Sequence, residues 1–154
     1  MAEGTMGGGA AGVDRRGPRV RILLVDEDSK DLQLYRSVLQ EQGHVVDCCA
    51  TFPEAGERLE RAWYDLIIFS EEGRTFNGQA LLERAIELNR YRPVLVLTRF
   101  VDRRTYVDAI YLGALDYIEK PLAPLEIIRM VKNGLSYFLA PAGVRYGCPS
   151  SSEG

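Results

Sequence analysis

Two acidic clusters, Asp26-Glu27-Asp28 and Ser70-Glu71-Glu72, each stand directly after an apolar run, Ile22 to Val25 and Leu66 to Phe69. Runs of this kind read as buried strands of a parallel sheet, and the carboxyl ends of such strands meet along one edge. Carboxylates gathered there offer a site to a hard, oxygen-seeking cation. The second cluster opens on a hydroxyl, Ser70, at the place where a third carboxylate would complete the set. The same edge is predicted to carry Thr98, which ends another apolar run, and Lys120, which precedes Pro121.

Other chemistries have little to work with. His44 is the single histidine and follows Gly43 at a helix-to-strand turn, so a zinc site or a Ser-His-Asp triad is not expected, and the histidine reads as structural. The three cysteines lack metal-type spacing: Cys48 and Cys49 are neighbours on one strand and point to opposite faces, and Cys148 falls in a tail. Reduced thiols in a cytoplasmic setting are the expectation. A formal net charge of −3 argues against a nucleic-acid surface, which needs a basic stripe. No apolar run approaches the roughly 18 residues that span a bilayer. Arg15, Arg16, Arg19 and Arg21 precede only a short strand-like run, so neither a signal peptide nor a membrane role is expected.

The elements that must position these side chains alternate regularly. The 154 residues, 46% of them hydrophobic, suffice for one domain with its own core. Strands are predicted over 20–25, 45–49, 65–69, 93–98 and 116–119. Helices are predicted over 29–42, from 51, after Asn77-Gly78, over 102–112 and over 124–138. Gly43 and Gly113 suit helix ends, and Thr51 with Glu54 fits a reciprocal cap with Pro53 in the first turn. The glycine-rich residues 1–17 and the stretch 139–154 read as flexible tails around a domain at 18–138. Five right-handed β/α units give an α/β fold, a five-stranded parallel doubly wound sheet with its ligand edge at the strand carboxyl ends.

This set of residues resembles the receiver domain of bacterial response regulators, with its flavodoxin-like (βα)5 fold, over roughly residues 18–138. The resemblance is carried by the acidic pair Asp26-Glu27, the strand-end hydroxyl Thr98, and GALDYIEKPL, with Tyr117, Lys120 and Pro121 in register. Gly78 falls eight residues after Ser70, in the same register. It implies that the acidic pair helps to hold Mg²⁺, that Lys120 pairs with a phosphoryl group, that Thr98 and Tyr117 act as switch residues, and that the Lys120-Pro121 bond is cis. It also implies two-component phosphorelay signalling, with an aspartate at the position of Ser70 that takes a phosphoryl group from a histidine kinase. Serine lacks the ionised nucleophile and one anionic metal ligand. Arg99, where a small residue is usual, is expected to block the pocket by pairing with Asp26, Glu27 or Glu72. Arg74 stands where the loop usually carries proline.

The sequence therefore points to an atypical pseudo-receiver, not an enzyme, that works by protein interaction without phosphorylation. No cofactor is expected, and Mg²⁺ binding at Asp26 and Glu27 is expected to be weak. The alternative is a working phosphorelay receiver with an unconventional acceptor. A flavin or nucleotide enzyme of the same architecture would need a Gly/Ser/Thr-rich loop after the first strand, and DEDSKD repels phosphate instead. On the last helix, Ile127, Ile128, Val131, Leu135 and Phe138 form the core stripe, with Met130 and Tyr137 outside it. On the fourth helix, Val107 and Ile110 are read as inward, Tyr111 and Leu112 as outward. Tyr111, Leu112, Met130 and Tyr137 then mark a contact face for a protein partner or homodimer along the fourth helix, fifth strand and fifth helix.

Overall fold

Short β-branched and leucine-rich runs form five strands in the computed structural model, which describes residues 19–139. They are β1 (Arg21–Val25), β2 (Val45–Cys49), β3 (Leu66–Glu71), β4 (Val94–Thr98) and β5 (Asp116–Glu119). The helices between and after them are α1 (Ser29–Glu41), α2 (Phe52–Arg61), α3 (Gln79–Leu88), α4 (Arg103–Leu112) and α5 (Pro124–Leu139). All pairings are parallel and the sheet order is β2-β1-β3-β4-β5, the doubly wound arrangement expected. Of the tails expected at 1–17 and 139–154, residues 1–17 and 140–154, Cys148 among them, lie outside the described residues, and Leu139 is the last residue of α5 rather than the first of a tail.

The period-2 alternation of the strands divides the core between two faces. Ile22, Leu24 and Ile68 pack with Tyr35 and Leu39 of α1 and with Ile127, Val131 and Leu135 of α5. Leu23, Val25, Ile67 and Phe69 pack on the other side with Leu59 of α2, Leu82 and Ala85 of α3 and Ala109 of α4. Cys48 and Cys49 go to opposite faces, as their adjacency requires.

Side-chain caps set the helix starts. Asp28 accepts from the N–H groups of Lys30 and Asp31 at 2.9 and 3.1 Å, and Asp102 accepts from Thr105 N at 2.9 Å. Each cap stabilises its helix by about 1 kcal/mol. Thr51 accepts from Glu54 N at 3.3 Å, and Glu54 reaches back to the N–H of Ala50, one residue before the cap. Gly113 ends α4 at φ 117°, a left-handed turn that favours glycine.

Two helix faces depart from expectation. Met130 is only 8% exposed and belongs to the core with Ile127 and Val131. α5 packs against both the sheet and α1, so its buried arc is wider than one stripe. On α4, Val107 and Ile110 are 53% and 37% exposed, while Thr105 and Ala109 are buried and Leu112 packs against the core. The small side chains at i and i+4 face the sheet, and the bulky branched residues are turned outward. Tyr111, 87% exposed, is on the surface as expected, whereas Tyr137 is half-buried. The side chain of Phe138 lies outside the described residues.

Candidate functional site

The sheet order places β1 beside β3, with β2 and β4 flanking them, so the crevice beyond their carboxyl ends is the topological switch point. Val25 is in register with Phe69, which brings the next residues, Asp26 and Ser70, side by side. The Ser70 hydroxyl donates to Asp26 Oδ2 at 2.8 Å, and both side chains are buried. Asp26 Oδ1 accepts from Asp28 N at 2.9 Å. Burial raises the pKa of Asp26 even against the N–H of Asp28, the Ser70 hydroxyl and Lys120.

Lys120 enters from the end of β5. Its backbone N–H donates to Thr98 O at 2.7 Å, the bond to Pro121 is cis as the resemblance implied, and the side chain runs into the crevice fully buried. Its Nζ lies 3.1 Å from Asp26 Oδ2, 2.8 Å from Asp31 Oδ2 and 2.6 Å from Glu72 Oε2, with Ser70 Oγ at 3.3 Å. Burial opposes its charge, but the hydrogen bonds to Asp31 and Glu72 and the charge of Asp26 outweigh it and push the pKa above that of an ordinary lysine. Asp31 is held below the usual carboxylate range: its desolvation is overcome by Lys120 first and Arg99 second.

Arg99 lies across the outer side of this cage. Its Nη2 is 2.8 Å from Asp31 Oδ2 and 3.7 Å from Asp28, and its Nη1 is 3.6 Å from Glu72. The expected pairing with Glu72 is therefore present, but the shortest contact goes to Asp31, which sequence reasoning missed. A signal was available, because Asp31 sits in the first turn of a helix that begins at the strand-end edge.

Glu71, the middle residue of the second acidic cluster, is not one of the cage carboxylates. β3 instead runs on through it and buries it. Its carboxylate accepts from Asn77 N at 3.0 Å and from Gly78 N, tying down the loop after β3. A Cβ on Gly78 would lie 2.5 Å from the Phe69 ring and 2.6 Å from Glu71 Oε2, so the loop requires glycine there. Burial pushes the Glu71 pKa up to about 7, against the two backbone N–H groups and with help from Glu27 and Glu72.

Other expected site residues are present at the edge but turned to different tasks. The Thr98 hydroxyl accepts from Phe100 N at 3.0 Å and contacts Phe100 O at 3.2 Å, within its own loop. The Tyr117 hydroxyl accepts from Asp102 N at 3.3 Å, and its ring stands edge-on to Tyr106. Arg74 stacks over Phe100 at 5.8 Å. Glu27 is exposed and lies outside the cage. His44 is buried elsewhere, where its Nδ1 accepts from Val20 N at 3.2 Å.

A parallel 2-1-3-4-5 sheet with an acidic crevice and a lysine entering from the last strand defines a receiver-type domain. The chain belongs to that family: the model of the response regulator receiver domain matches residues 22–132. It is 33% identical over 107 residues to the alginate biosynthesis transcriptional regulatory protein AlgB of Pseudomonas aeruginosa, covering 70% of this chain and 24% of that one. It is 32% identical to an uncharacterized 14.6 kDa protein of Leptolyngbya boryana, covering 72% of this chain and 86% of that one. The CheY-like receiver domain protein of Methanospirillum hungatei JF-1 superposes with a TM-score of 0.73 at 27% identity, over 79% of this chain and 97% of the other. The chain thus spans about a quarter of AlgB and most of the shorter relatives.

The Mg²⁺ that the resemblance implies does not fit the donor set as arranged. Carboxylate oxygens of Asp26, Asp31 and Glu72 lie within 4.8 Å of one another, but Lys120 Nζ already contacts all three, and Glu27, one of the expected ligands, is not among them. No helix among the described residues is long and apolar enough to cross a membrane.

Proposed function

We propose that this domain is a pseudo-receiver, a signalling module that acts by protein binding without being phosphorylated. Ser70 stands at the position of the acceptor aspartate. The observation that carries the reading is the environment of its hydroxyl, which donates to Asp26 and lies 3.3 Å from Lys120 Nζ. A neutral hydroxyl needs a general base to attack phosphorus. A phosphoryl group arriving there would also meet Asp26 and Glu72, with Lys120 already committed to three carboxylates. On this reading the protein is a cytoplasmic binding module and not an enzyme, and a partner protein or a second copy engages the face formed by α4, β5 and α5.

One observation favours a second reading, an unconventional phosphoacceptor. Asp26 has a raised pKa and accepts the Ser70 proton donor at 2.8 Å, which is the geometry of a base beside a nucleophile. Incubation with acetyl phosphate and Mg²⁺ followed by intact-mass spectrometry separates the two. The pseudo-receiver shows no added mass. Stoichiometric addition of one phosphoryl group, lost in Ser70→Ala, would establish the second reading instead.

A further inference from the structure

The strand-end cage presents three carboxylates to one point, and that point is occupied by an atom of the chain itself. Lys120 Nζ has three N–H donors and lies 2.6 to 3.1 Å from one oxygen each of Glu72, Asp31 and Asp26. We propose that Lys120 is the resident cation of this pocket, a tethered ammonium that stands where a divalent ion would and excludes it.

Three features support this. First, the distances are those of ammonium hydrogen bonds, whereas Mg²⁺ requires oxygens at about 2.0–2.1 Å in octahedral geometry. Lys120 Nζ already takes one oxygen of each carboxylate. Of the remaining oxygens, Asp26 Oδ1 accepts from Asp28 N and Glu72 Oε1 faces Arg99, so a divalent ion would have to displace these partners. Second, the third carboxylate comes from Asp31 on α1, not from a strand end. Asp31 Oδ2 is 2.8 Å from Lys120 Nζ and also 2.8 Å from Arg99 Nη2, so it holds the inner cation and the outer one together. Third, the ammonium is covalently attached, and its effective concentration at the cage far exceeds that of a free ion. Lys120 and Arg99 together offset two of the three carboxylate charges and so weaken the pull on a divalent ion.

The inference concerns the same pocket as the reading above but uses no phosphodonor. Phosphorylation of Ser70 would overturn that reading and leave this one standing. The test uses Mn²⁺ alone as the probe, followed by electron paramagnetic resonance and calorimetry on the full chain. Wild type should show no saturable binding in the low millimolar range. Lys120→Met, which keeps the carboxylates and a side chain of similar length, should bind Mn²⁺ at least about tenfold more tightly, the gain disappearing in Lys120→Met/Asp31→Asn; a tenfold change corresponds to about 1.4 kcal/mol. Equal affinity in wild type and Lys120→Met, or no gain in a folded Lys120→Met protein, would overturn the proposal. If Lys120→Met and Lys120→Gln both fail to fold, wild type decides by NMR. Protected ¹H–¹⁵Nζ signals from Lys120 that persist in excess Mg²⁺ support the resident ammonium, and their saturable loss refutes it.

Discussion

Asp31 holds Lys120 from outside the strand ends: a residue of the first turn of α1 places its Oδ2 2.8 Å from a lysine 89 positions later in the chain. The same oxygen is 2.8 Å from Arg99 Nη2. One carboxylate thus connects α1, the end of β4 and the end of β5, and the pocket is closed by charge pairing over the meeting point of β1 and β3. The least exposed members of such a network, Lys120, Asp26 and Asp31, are costly to bury and costly to remove, since losing one strands the charges that remain.

Asp31→Asn should lower stability at neutral pH by about 1–3 kcal/mol, the cost of removing one partner from a part-buried charge network. The effect depends on pH with a definite sign. Because the folded state lowers the pKa of Asp31, its stabilisation is present above the ordinary aspartate pKa and is lost as the pH falls through the folded value. Urea denaturation across the acid range should therefore show wild type and Asp31→Asn converging at low pH. A difference that stays constant from pH 7 downwards would show that Asp31 acts by packing and not by charge.

Glu71 should give the opposite slope. Its folded pKa is raised to about 7, so between the ordinary glutamate value and about 7 the unfolded chain has released a proton that the folded chain still holds. Stability should fall as the pH rises through that window, by roughly 1.4 kcal/mol per unit at most. In Glu71→Gln the fall should shrink, leaving only the contribution of Asp26, whose pKa is also raised. A wild-type stability curve that is flat or rising over the same window would show that the two backbone N–H donors, and not burial, govern this carboxyl.

The architecture was legible because its signals are local and repeated. Apolar runs of strand length, helix-ending Gly43 and Gly113, and the cap at Thr51 each name an element boundary without reference to the rest of the chain. The candidate site was legible as far as register goes, since Asp26, Ser70, Thr98 and Lys120 all end or follow strands. What could not be read was which side chain turns toward which. Asp31 lies on a helix, and only the packing of α1 against α5 and the sheet brings it to Lys120. Glu71 is polar in a run of polar residues, and its burial follows from β3 continuing past Phe69. Thr98 is at the edge as expected, yet its hydroxyl is held by the backbone of Phe100.

Arg99→Ala tests which cation closes the pocket. The Arg99 side chain is about one-third exposed, and exposed ion pairs contribute about 0–1 kcal/mol, so the substitution should barely change the melting temperature. It should also leave Mn²⁺ binding as weak as in wild type, because Lys120 remains in contact with Asp26, Asp31 and Glu72. If Arg99→Ala binds Mn²⁺ as tightly as Lys120→Met, then Arg99 is the barrier and the role given to Lys120 is wrong.

Tyr111 and Met130 separate surface from core on the proposed contact face. Tyr111 is 87% exposed on α4, beside the exposed Val107 and Ile110, whereas Met130 is 8% exposed and packs within the core under α5. Tyr111→Ala should change stability by less than about 0.5 kcal/mol, as surface substitutions do. It should nevertheless weaken association if α4, β5 and α5 form the face, because exposed aromatic residues supply much of the energy of a covered contact. Met130→Ala should behave oppositely, costing about 2–5 kcal/mol through the cavity it leaves while changing association only through loss of folded protein. Thermal denaturation and sedimentation equilibrium on both variants measure the two effects separately. Unchanged association in Tyr111→Ala, in a protein that self-associates as wild type, would move the interface away from α4.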